Sequence, residues 1–135
     1  MKFLIILCSF IFLYSYQLTI ISNTKNSNGI AIISVYNTPN SIPDKNLNNY
    51  YKQKIVKIIN NKIKTSFNLP QGIYAINIIH DENSNHTIDM GFMLPKEGIG
   101  FSNFNTINLF NKPNFKQASF KLDKNKTIKI KIIYF

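Results

Sequence analysis

Along residues 63–69, Ile63, Thr65, Phe67 and Leu69 alternate with Lys64, Ser66 and Asn68. A repeat of two places the two sets on opposite faces of a strand, which the 3.6-residue repeat of a helix does not do. The same alternation closes the chain, where Ile128, Ile130, Ile132 and Tyr134 interleave with Lys129, Lys131 and Ile133. Patterning also predicts strands over 17–24, 30–37, 54–59, 73–79 and 115–122, the last forming a hairpin with 127–134 around Asp123, Lys124, Asn125 and Lys126. Residues 25–29 read as a hairpin turn, because Asn28 and Gly29 tolerate positive φ. Asn60 and Asn61 read as a tight turn, and Pro70 with Gly72 as a turn with a fixed φ followed by a free one. Pro39 and Pro43 cannot donate to a ladder, so 38–51 is a connecting loop. Seven short strands without a strong helix predict an all-β fold, an antiparallel β-sandwich, in one domain spanning 17–135.

The first residues, MKFLIILCSFIFLYSYQ, break this pattern. Lys2 precedes an apolar run from Phe3 to about Tyr14, and polar residues follow, which is the layout of a secretory signal peptide over 1–16. The run is too short to span a bilayer comfortably. The expected location is secreted or periplasmic, with no membrane span after cleavage. Cys8, the one cysteine, lies in this segment, so the body of the chain has no thiol for a disulfide, a thiolate metal site or a nucleophile.

A chain of 135 residues suits one core of modest size. Its net charge of +10 raises a polyanion-binding surface as one reading. All sixteen basic residues are lysine, however, and arginine is the residue favoured for bidentate phosphate contacts. With the lysines dispersed along the chain, solvated strand faces are expected and no specific nucleic-acid role.

Chemistry concentrates between His80 and Asn103, where four of the six acidic residues fall: Asp81, Glu82, Asp89 and Glu97. Counting from Asp81, oxygen-bearing side chains stand at the first, third, fifth and ninth places as Asp81, Asn83, Asn85 and Asp89, with the Thr87 carbonyl at the seventh. That spacing matches the first nine places of an EF-hand loop, whose oxygens converge on Ca2+. His86 stands where glycine makes the sharp turn, Phe92 stands where the bidentate glutamate belongs, and only Glu97 remains to close the site after a further turn. The expected affinity is weak, on the order of 10⁻⁴ to 10⁻³ M. Three other readings compete. The Asx residues of the loop can hydrogen-bond their own backbone without a metal; His80 and His86 with Asp81 or Asp89 can be read as transition-metal ligands; and a small hydrolase would use His80 as base, Asp81 or Glu97 as its partner and Ser102 as nucleophile. The irregular stretch 81–113 is expected to pack on the sandwich through Phe92, Met93, Leu94, Phe101 and Phe104.

LPQGIYAI at 69–76, HDEN at 80–83, DMGF at 89–92 and PKEGIGFSN at 95–103, in that order and spacing, resemble the bacterial secreted family catalogued as domain of unknown function 2141. The resemblance spans roughly 18–134. It implies a small exported sandwich of the transthyretin or carboxypeptidase-regulatory-domain kind, with no established activity. The acidic loop of that family reads Asp, Asn, Asn and a final Asp, so Asp81, Asn83, Asn85 and Asp89 carry over by position, with His86 in place of its glycine. The expectation is a non-enzymatic, monomeric, exported module that binds a protein or glycan in the cell envelope, with Asp81, Asn83, Asn85, Thr87, Asp89 and Glu97 as calcium ligands.

Overall fold

The stretch AINII near the middle of the chain is apolar on both faces apart from Asn77, and it becomes part of the central strand. In the computed structural model, which describes residues 14–135, eight strands form two packed sheets. They are β1 (Ser15–Asn23), β2 (Ile30–Tyr36), β3 (Lys52–Lys57), β4 (Lys62–Pro70), β5 (Gly72–Asp81), β6 (Gly98–Phe101), β7 (Phe120–Leu122) and β8 (Lys126–Lys129), with one short helix, α1 (Phe115–Ala118). The expected signal segment lies outside the described residues as far as position 13; Ser15 and Tyr16 open β1, facing Pro70 and Leu69.

The smaller sheet has the order β4-β1-β8 and the larger β3-β2-β5-β6, with β7 pairing the start of β5. Leu18, Ile20, Ile63, Phe67 and Leu69 from the smaller sheet meet Ile33, Val35, Ile76 and Ile78 from the larger in one buried cluster. A second cluster lies on the far face of the larger sheet, where Ile32, Ala75, Ile79 and Ile99 are covered by Ile42, Leu47 and Phe104 from the loops and Ala118 from α1. That double covering is why β5 is buried on both sides.

Three connections depart from the expected hairpins. β1 and β2 belong to different sheets, so residues 25–29 cross the sandwich instead of closing a hairpin. Turn chemistry alone does not distinguish the two. Asn60 and Asn61 do make the tight turn, at φ of 51° and 58°, and Ile59 bridges Lys62, yet β3 and β4 then diverge into separate sheets. The terminal hairpin is absent: Phe120–Leu122 pairs with β5, while Lys126–Lys129 pairs with β1 in parallel, the one parallel ladder among the named pairs. The chain then crosses to the larger sheet, where Ile133 and Ile99 exchange backbone hydrogen bonds of 3.0 and 2.9 Å. Residues 115–118, expected in a strand, are helical because the Asn114 side chain accepts from Gln117 N at 2.9 Å and caps the turn.

Candidate functional site

β5 delivers His80 and Asp81 to the end of the sandwich on opposite faces of its sheet. Its even positions Tyr74, Ile76 and Ile78 point between the sheets, and its odd positions Ala75 and Ile79 point to the far face. His80 follows the even set. Its Nδ1 lies 2.7 Å from the Tyr134 hydroxyl and its Nε2 2.9 Å from the Asn28 carbonyl. The carbonyl can only accept, so Nε2 carries the proton and Nδ1 accepts from the tyrosine. Asp81 follows the odd set and is fully buried. Its two carboxylate oxygens accept the backbone N–H groups of Asn85 at 3.3 Å and His86 at 2.7 Å, curling the chain into a loop.

His86 adopts φ of 62°, the left-handed conformation that the missing glycine would supply. Histidine is among the few non-glycine residues that enter this region readily. The Asn83 amide donates to Asp89 Oδ2 at 2.8 Å, and the Asn85 amide lies 2.9 Å from both Asp89 oxygens. Asn83 and Asn85 accept in turn from the backbone N–H of Asn85 and Thr87. The alternating Asx residues therefore converge on Asp89.

A small hairpin then returns the chain. Met90 bridges Pro95, Gly91 N donates to the Leu94 carbonyl at 2.8 Å, and Lys96 N donates to the Asp89 carbonyl at 2.8 Å. Phe92, at the twelfth place of the loop, and Met93 stand in solvent instead of packing on the sandwich. Their place beside Asp89 goes to Glu97, which is 5% exposed and lies just before β6. One Glu97 oxygen accepts Asp89 N at 3.2 Å, and the other, Oε1, is buried without a hydrogen-bond partner. Burial, then the negative charges of Asp81 and Asp89, push the Glu97 carboxyl up to about 7. Glu82 is held low by its hydrogen bonds to Lys25 and Asn26, the Lys25 ammonium lying at 2.7 Å. Glu82, Asn83, Asp89, Met90, Lys96 and Glu97 line an open cavity of about 460 Å³.

The structure thus gathers Asp81, Asn83, Asn85, Asp89 and Glu97, with Thr87 in the same curl. Among the described residues no three His, Cys, Asp or Glu side chains converge as a metal-binding group on their own. The Asn83 and Asn85 oxygens accept backbone N–H groups while their amide nitrogens face Asp89, so a hard cation here would need those amides to turn. His80 and His86 are not brought together, His80 being held by Tyr134 and Asn28 and His86 lying exposed in the loop. Nor are His80 and Glu97: His80 faces Gly98 across the ladder, on the side of the sheet away from the acidic loop. Ser102 is buried, donates to the Ala118 carbonyl at 2.6 Å and accepts Ile76 N at 2.9 Å, which occupies the hydroxyl in structure.

Sequence reading missed the support behind the loop. Gly29, at φ of 69°, lies against it so closely that an added Cβ would sit 2.0 Å from the Asp81 carbonyl oxygen. The asparagine and glycine of a supposed hairpin gave no sign of this partner.

Fold and site together define a two-sheet β-sandwich with an oxygen-rich loop at the end of its central strand. A family model described as uncharacterized protein conserved in bacteria (DUF2141) matches residues 20–130, and the chain belongs to that family. Comparison with curated proteins and with solved structures returned no match.

Proposed function

We propose that this protein is an exported, non-enzymatic binding module whose loop from Asp81 to Glu97 takes up one calcium ion, with its partner a protein or glycan of the cell envelope. The observation that carries this reading is Glu97 Oε1, a buried carboxylate oxygen without a partner beside Asp81 and Asp89. Burying an acceptor unpaired costs about 1–3 kcal/mol, and a like-charged neighbourhood adds to that cost. A hard divalent cation would satisfy the oxygen and reverse the sign of the local field at once. Asp81, Asp89 and Glu97 would supply charge and Thr87 its carbonyl, while the Asn83 and Asn85 amides, whose nitrogens face Asp89, would turn to bring their oxygens to the ion. The bound ion would fasten the loop to the ends of β5 and β6 and so fix the adjoining surface.

Melting with 5 mM calcium or with EDTA tests this reading. A dissociation constant between about 10⁻⁴ and 10⁻³ M gives roughly 1–2 kcal/mol of added stability, a rise in Tm of about 3–10 °C. An unchanged Tm would remove the calcium site and leave the loop held by its own hydrogen bonds.

A further inference from the structure

The lysines that the sequence scatters meet on the outer face of the three-stranded sheet. β1, β4 and β8 contain no Asp or Glu. Lys64 and Lys129 stand on either side of Ile21, each exposed while Ile63 and Ile130 beside them are buried. Two steps across a sheet put their Cα atoms about 10 Å apart. Lys62 faces Asn23 in the next outward row, about 7 Å further along the strand. Past the end of the ladder, as the chain crosses toward the larger sheet, the exposed Lys131 lines one cleft with Asn23 and Lys129. The junction is tied by Ile130 N donating to the Ile21 carbonyl at 3.0 Å and Ser22 Oγ donating to the Ile130 carbonyl at 2.6 Å.

Lys62, Lys64 and Lys129 thus flank β1 with Lys131 close by, and none of the four is in an ion pair among the described residues. The cleft, of about 480 Å³, is lined by Asn23, Asn105, Lys129, Ile130, Lys131 and Ile132. The row behind it is hydroxylic: Thr19 stands between Ser66 and Thr127, with Thr19 Oγ1 3.0 Å from Ser66 Oγ. The Tyr16 and Phe67 rings of these strands lie with the inner cluster, so among the described residues these strands offer no aromatic platform on which bases could stack.

We propose that this face binds an acidic polysaccharide. The four ammonium groups meet its carboxylate or sulfate groups, and the Asn23 and Asn105 amides in the cleft meet its sugar hydroxyls. Uncompensated positive charge supplies attraction and on-rate, and the neutral hydrogen-bonding groups supply the preference for a sugar backbone over a nucleobase strand. The site belongs to the other sheet from the acidic loop and stands whether or not that loop holds calcium.

Heparin binding to the purified protein, measured in EDTA from 50 to 300 mM salt, tests the proposal. The variant K62Q/K64Q/K129Q/K131Q should bind at least tenfold more weakly than the parent, with a shallower salt dependence. The control K45Q/K52Q/K112Q/K116Q, which removes the same charge elsewhere, should lose no more than about threefold. Lysine acetylation of the unaltered protein supplies a readout free of folding effects, with heparin protecting Lys62, Lys64, Lys129 and Lys131 but not Lys45 or Lys112. Equal weakening by both quadruple variants, absence of selective protection, or tighter binding to a single-stranded oligonucleotide of equal charge would each overturn it.

Discussion

Replacing Glu97 by glutamine isolates the strain that the acidic loop carries without a cation. Glu97 is 5% exposed, holds one hydrogen bond from Asp89 N and leaves its other oxygen unpaired. Burial, and after it the charges of Asp81 and Asp89, raise its carboxyl from 4.5 to about 7. Between those values the unfolded chain has released a proton that the native protein keeps. Stability therefore falls as pH rises through this window and levels off above 7. The gap from 4.5 to about 7 corresponds to roughly 3 kcal/mol when fully expressed. Glu82 and Asp89 are held below their ordinary range, so their contributions are complete above it and fade only in more acid solution. Urea denaturation in EDTA at pH 5, 6.5 and 8 should show the parent losing about 2–3 kcal/mol across the series, while Glu97→Gln stays level through it. At pH 8 the variant should be the more stable protein, since an amide in place of the orphaned oxygen can donate to Asp81 or Asp89. A parent equally stable at pH 5 and 8, or a variant weaker than the parent at pH 8, would refute the reasoning.

Gly29→Ala forces an unfavourable φ and drives a methyl into the Asp81 carbonyl, so a loss of about 2–4 kcal/mol is expected; a Tm within 2 °C of the parent would contradict that packing. Tyr134→Phe removes the hydroxyl that donates to His80 Nδ1 and accepts Lys25 N at 3.1 Å. It should cost about 1–3 kcal/mol in urea denaturation, and no loss would mean the hydroxyl is dispensable. Tyr36→Phe breaks the buried bond to Asp44, which also accepts Asn48 N and Asn49 N. A loss of about 1–3 kcal/mol with faster amide exchange at Asn48 and Asn49 is expected, and unchanged exchange there would count against it.

Strands that keep one face on the core were legible from alternation. β4 is the clearest case, since Ile63, Phe67 and Leu69 are all buried and Lys62, Lys64 and Asn68 are not. β6 was invisible, because Gly98 and Gly100 carry no side chain to alternate. Their bareness has a cause: a Cβ on Gly98 would lie 2.3 Å from the Tyr134 ring, and one on Gly100 2.7 Å from the Lys131 carbonyl oxygen. The chain could not be read into its sheets either. Local turn residues specify a reversal, but whether that reversal joins neighbours in one sheet or crosses to the other depends on distant partners, as Asn28 and Gly29 illustrate. Of the acidic loop, the order of the Asx residues was legible; that their amide nitrogens turn to Asp89 while their oxygens accept backbone N–H groups was not. The fit of His86 to the left-handed turn and the return of Glu97 by a second hairpin were not, since both arise from backbone geometry. The lysine cluster was hidden for a related reason. Lys64 and Lys129 are far apart in sequence and become neighbours through a parallel ladder that alternation does not reveal.

Calorimetric titration of the purified protein with calcium at pH 6 and pH 8 tests the proposed site most directly. The account predicts one ion per chain with a dissociation constant of about 10⁻⁴ to 10⁻³ M. Close to one proton should be released at pH 6, where Glu97 must ionise to ligate the ion, and almost none at pH 8. Absence of binding at 10 mM calcium at either pH, or binding that Glu97→Gln leaves unaltered, would contradict it.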